Sequence, residues 1–158
     1  FPVGALGEPG SRVFYFQAFG ESDGGPVEVA VKCEKQQAQA LAEHLVKLLA
    51  DLPATDPGTD AEPAEALPPT ELAWVVGSIS IGVDRARERL VVLLEELVPD
   101  DPEDPALADP GRLRVSVSAE QVRSLAAQVE VLTAGGRPLC RLCEQPIDPS
   151  GHACPRLN

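Results

Sequence analysis

The feature that most narrows the folds open to this chain is a repetition. Placing Val31 on Val115, an offset of 84 residues, also brings Gln37 onto Gln121, Leu41 onto Leu125, Ala42 onto Ala126 and Leu45 onto Val129. Each copy reads as a strand running straight into an amphipathic helix. In the first, Val27, Val29, Val31 and Cys33 alternate with Glu28, Ala30 and Lys32, the period of a half-buried strand. Ala38, Leu41, Leu45, Leu48, Leu49 and Leu52 then recur at helical spacing. In the second, Leu113, Val115 and Val117 alternate with Arg112, Arg114 and Ser116, and Ser118 to Gln121 has the S-x-x-Q form of a capping box. Val122, Leu125, Ala126, Val129 and Leu132 make the buried stripe, and Gly135-Gly136 followed by Pro138 stops the helix.

A hairpin precedes each strand: "ALGEPGSRVFYFQAFG" in the first half and "VGSISIGVDRARERLVVLLEEL" in the second, where turn residues join two β-prone runs. The segment "RARERLVVLLEELV" is ambiguous, because Leu90, Leu93, Leu94 and Leu97 also fit a helix. We read it as a strand from its first-half counterpart, Val13 to Phe19, which is aromatic and β-branched. The expected fold is α+β: two tandem β-β-β-α repeats, residues 1–52 and 72–136, forming a largely antiparallel sheet with two helices on one face.

Two proline-rich acidic stretches, residues 53–71 and 99–111, interrupt this pattern. Prolines remove backbone donors and the carboxylates repel one another, so both are expected to be mobile, solvated loops rather than docking segments for a basic partner. Thirteen basic against 25 acidic residues leave a formal charge of −12, which works against nucleic acid and anionic membrane. No apolar run approaches the roughly 18 to 20 residues of a spanning helix, so no membrane role is expected. The opening "FPVGALGEPG" has no initiating Met, as expected of a chain with residues ahead of Phe1.

The remaining segment, residues 137–158, ends in "CRLCEQPIDPSGHACPRLN". Cys140, Cys143, His152 and Cys154 have the pattern C-x2-C-x8-H-x-C. Two intervening residues let the first pair of thiolates converge in a tight turn, and His152 with Cys154 supplies the other corners of a tetrahedron. Thiolates with an imidazole favour zinc over magnesium or calcium, and four protein ligands leave no open position for water. The spacing therefore predicts one structural zinc in a small C-terminal knuckle. A C-x2-C redox pair is the weaker reading, since the βαβ context of such pairs is missing, and unliganded cysteines are weaker still. Metal-ligand spacing in place of paired disulfides points to a cytoplasmic protein. Arg137, Arg141 and Arg156 flank the knuckle and are the one place where nucleic acid could approach.

The stretches "FPVGALGEPGSRVFYFQA", "EKQQAQALAEHL" and "CRLCEQPIDPSGHACPRLN" resemble an uncharacterised actinobacterial protein family. Its members begin V-G-x-x-G-x-P-G-x-R-x-F-x-x-Q-A and end in C-P-x-C-G-x-P-[LI]-D-P-x-G-H-x-C-P-R-x-N-G. The likeness spans nearly the whole chain; it implies a cytoplasmic protein and supports the zinc site, and it brings no activity or substrate with it. Arg141 stands where the family has proline and Glu144 where it has glycine, so a different turn is expected after Cys143.

Other residues attract attention for less reason. Cys33 follows the inward parity of Val27 to Val31 and is expected to be a buried core thiol. His44 sits on the flank of the first helix with no second metal ligand near it in sequence, and Trp74 enters a strand as a core or edge residue. The glycines of "GALGEPG" match neither phosphate-binding fingerprint. With His44 and His152 the only histidines, no Ser/His/Asp set can be assembled. The sequence thus points to a non-catalytic, zinc-stabilised module whose partner is a protein. Its alternatives are a nucleic-acid or ribonucleoprotein binder acting through the arginine-flanked tail, and an enzyme with a site on the open sheet face.

Overall fold

The computed structural model describes residues 1–8, 10–22, 24–50, 61–98, 109–134, 140–143 and 154–156. The period-two stretches are strands and the helical-period stretches are helices, in the order β1 (Val3–Leu6), β2 (Val13–Ser22), β3 (Gly25–Cys33), α1 (Lys35–Leu49), β4 (Val76–Asp84), β5 (Arg89–Glu96), β6 (Arg112–Val117) and α2 (Ala119–Ala134). This is an α+β fold with the β-β-β-α order occurring twice. The ambiguous leucine-rich segment is strand β5: Leu90, Val92 and Leu94 are fully buried, whereas Leu97, which the helical reading would turn inward, is 60 % exposed.

Each trio of strands is an antiparallel meander, ordered β1-β2-β3 and β4-β5-β6. Phe16 lies opposite both Val3 and Val31, and Phe14 opposite Cys33, so these positions give the first sheet an apolar face. In the second, Leu90 faces Val117 and Val92 faces Val115. The expected single sheet is thus divided into two three-stranded sheets, joined by a short parallel junction. Lys32 N donates to Trp74 O at 2.8 Å and Ala73 N to Ala30 O at 2.8 Å, with Lys32 bridged to Val75. The junction stops there because β3 ends at Cys33, where the chain turns into α1, and β4 runs on with β5 alone beside it among the described strands.

Both helices start on the capping glutamine that the repeat aligns. Gln37 Oε1 accepts from Glu34 N at 2.8 Å, and Gln121 Oε1 accepts from Ser118 N at 2.9 Å while Ser118 Oγ accepts from Gln121 N at 3.2 Å. These bonds satisfy backbone donors that a helix start otherwise leaves open. The helices pack on each other and reach across the two halves: α1 contacts β4 and β5, and α2 contacts β1. Gln37 Nε2 donates to Val76 O at 3.1 Å, and Arg12 Nη1 reaches Leu132 O near the end of α2 at 2.8 Å. One apolar cluster accordingly holds Phe16, Val31 and Leu45 from the first half with Leu90, Val92 and Leu125 from the second.

The stretch read as a mobile acidic loop is docked where it is described. Residues 51–60 and 99–108 lie outside the described residues, but Glu65 is bridged in parallel to Val3 and Leu67 is bound through its backbone. Gln17, fully buried on the outer face of β2, accepts from Leu67 N at 2.8 Å and donates to Leu67 O at 3.1 Å and to Glu28 at 2.7 Å. Tyr15 Oη adds a bond to Leu67 O at 2.9 Å, and its ring lies across Gly4, where a Cβ would collide with it. This cover explains why Tyr15, Gln17 and Ala30 are buried although they point away from the helices. Among the described residues no helix is long and apolar enough to cross a membrane.

Candidate metal centre

Three cysteines that the sequence separates come together at the C-terminus. Residues 141–143 form a turn after Cys140, and Cys154 lies beside it. The Sγ atoms of Cys140, Cys143 and Cys154 all lie within 4.8 Å of one another, and Cys140 Sγ is 3.8 Å from Cys154 Sγ. None of the three is in a disulfide, nor is Cys33. A tetrahedral zinc with Zn–S bonds of about 2.3 Å has S···S edges of about 3.8 Å. The 140–154 separation is therefore that of two corners of such a site, far beyond a disulfide bond of about 2.05 Å.

The turn also makes the first sulfur acidic. The Cys140 thiol is lowered to about 6, first because the backbone N–H of Cys143 points at it and next because that of Leu142 does, with further bonds from the thiols of Cys143 and Cys154. Backbone dipoles aimed at one sulfur stabilise its anion, the form that ligates metal. Cys140 and Cys154 are buried and Cys143 is half-buried, so the three can hold one metal ion at the edge of the protein.

Of the four ligands expected from the spacing, the structure brings together Cys140, Cys143 and Cys154. His152 lies outside the described residues, as do Arg137 and Glu144. Arg141 and Arg156 are exposed beside the cysteines. Cys33 is a core thiol, 3 % exposed and pushed up to about 12, chiefly by burial and secondarily by the charge of Glu34. His44 is exposed on α1, where its Nδ1 donates to Ala40 O at 2.7 Å. Trp74 packs half-buried against the core. Sequence reasoning missed Gln17, whose only signal was a lone amide inside the apolar run "VFYFQAF": a polar side chain there must be fully bonded to be buried.

Comparison with known proteins adds a family and no activity. The family model described as "Protein of unknown function (DUF3090)" matches residues 1–154, a span that takes in all three clustered cysteines. No curated protein and no solved structure matches the chain.

Proposed function

Because the chain belongs to the DUF3090 family of proteins of unknown function, we propose a function from its own residues: it is a non-catalytic protein-interaction module whose C-terminal tail is held by one structural zinc on Cys140, Cys143, His152 and Cys154. The convergence of three thiols, two of them at the spacing of a zinc tetrahedron's edge, carries this reading. His152 follows from the sequence spacing and fills the fourth corner. A closed coordination sphere leaves no site for an activated water, so the metal staples the tail rather than reacting. Thiols of this kind stay reduced in the cytoplasm, where we place the protein. The staple turns Leu142 outward between two ligands, 46 % exposed and next to Arg141, and offers a protein partner an apolar contact with a cationic rim.

Elemental analysis with native mass spectrometry tests this directly. One zinc per chain is expected, with loss of the metal in the Cys140→Ser and Cys154→Ser variants and weakened retention in His152→Ala. A chain that carries no metal while its three tail thiols are freely alkylated sinks the zinc reading. Co-purification with nucleic acid that dissociates steeply with salt would replace the protein partner with a polyanion.

A further inference from the structure

The sheet edges are protected unequally. The outer edge of β1 is bridged to Glu65, that of β3 is joined to residues 73–75, and β6 carries Arg112 and Arg114. Covering an edge or charging it discourages a second chain from adding a strand. From Gly77 to Val83, β4 has neither protection. It pairs with β5 on one side, and no backbone hydrogen bond from another described residue reaches its other side. The stretch "GSISIGV" contains no charge and no proline. Ser78, Ser80 and Gly82 are exposed, while Ile79 and Ile81 are half-buried toward α1. Between α1 and this strand lies an open groove of about 590 Å³, lined by Leu41, Leu48, Ile79 and Ile81 and rimmed by His44 and Lys47.

We infer that β4 is the surface through which two copies of this chain associate, pairing antiparallel about a twofold axis at Ser80. In that register Ile79 lies opposite Ile81 of the second copy and Ile81 opposite its Ile79. Residues directly opposite share a face, so all four isoleucines gather on the side of the helices, at the mouths of both grooves. On the other face Ser80 meets Ser80, and Ser78, whose Oγ donates to Glu95 of its own copy at 3.0 Å, meets Gly82, so no large side chain stands at the seam. The strand therefore supplies to its own copy the apolar side chains that each groove lacks. A shift by one residue would turn the second copy over and set its helices on the opposite face, so the register is specified. Joining the edges satisfies backbone groups left to water in the monomer and makes one six-stranded sheet from two second-half meanders. An isologous contact of this kind closes after two copies. The inference does not rest on the metal.

Sedimentation velocity of the full chain over about a hundredfold concentration range tests the pairing, since a dimer must dissociate by mass action. The wild-type chain is expected to move from one chain mass to two. Ser80→Glu sets two carboxylates opposite each other at the axis and should raise the dissociation constant about tenfold or more, the equivalent of roughly 1.4 kcal/mol. Ser116→Glu, the same charge change at an exposed position of β6, should leave association unchanged. As a readout independent of those charges, Ser80→Cys should yield a covalent dimer on mild oxidation while Ser116→Cys does not. A chain that stays monomeric throughout, equal effects of the two Glu variants, or no cross-link at position 80 overturns the inference; a monomer would leave this edge to an extended segment of another protein.

Discussion

Cys33 and Cys140 begin from the same ordinary thiol value and are driven to opposite ends of the range, the first up to about 12 by burial and the second down to about 6 by backbone N–H groups. For Cys33 this has a consequence for stability. A thiol whose value is raised on folding contributes its full stabilisation below the unfolded value of 9 and loses it as pH rises toward the folded value of about 12. Within that window the unfolded chain has released a proton that the native chain retains, so stability falls by about 1.4 kcal/mol per pH unit from this group. Cys33→Val should remove that part of the alkaline slope, read from urea midpoints between about pH 8 and about pH 11; a variant with the wild-type slope would contradict the assignment. The inward position of Cys33 was legible because parity along a strand is local. The role of Gln17 was not, because its partner, Leu67, is 50 residues away and lies in a segment whose composition advertises a solvated loop. The cysteine spacing showed which side chains could converge, but which backbone N–H groups would face Cys140 depends on a turn that spacing does not specify.

At the level of elements, the repeat was legible because it repeats a mechanism. Gln37 and Gln121 occupy the same place in the two copies and both close the first turn of their helices by accepting from the residue three before them. Their environments differ, since Gln37 also donates to Val76 O at the start of β4. Gln121→Ala should therefore cost about 1 kcal/mol, the usual scale for a lost cap. Gln37→Ala should cost about 1–2 kcal/mol more, because it also leaves a part-buried carbonyl without its donor. Thermal and urea unfolding of the two variants measure the difference, and equal losses would show that the bond to Val76 contributes nothing. The strands were legible from alternation alone except for β5, where leucines fit both periods and the exposure of Leu97 decides for the strand. The division into two sheets was not, because it depends on where β3 gives way to α1, a boundary that alternation marks only to within a few residues.

For the molecule as a whole, duplication suggests two units, each covering its own apolar face, and the packing says otherwise. With α1 in contact with β4 and β5 and α2 with β1, the two halves exchange helix contacts, and a single apolar cluster runs through both. No local pattern carries that exchange, because the stripe on a helix shows that it must be buried and not which sheet buries it. The exchange sets the cooperativity of the fold. In a fragment of residues 1–71, α1 would lose its contacts with α2, β4 and β5, and the side chains it buries in the common apolar cluster would lose second-half neighbours, at about 1.5–3 kcal/mol for each one returned to water. That loss is comparable with the roughly 5–15 kcal/mol that holds an ordinary domain together. Residues 1–71 expressed alone should therefore show no cooperative urea transition, and mixing them with residues 72–158 should restore helical circular dichroism and a sigmoidal unfolding curve. In the intact chain the same coupling predicts one transition reported alike by Trp74 fluorescence in the second half and by backbone dichroism over both. A first-half fragment that folds alone with a cooperative transition would show that α1 can cover its own sheet, and the crossed arrangement would then be a matter of packing preference rather than the basis of stability.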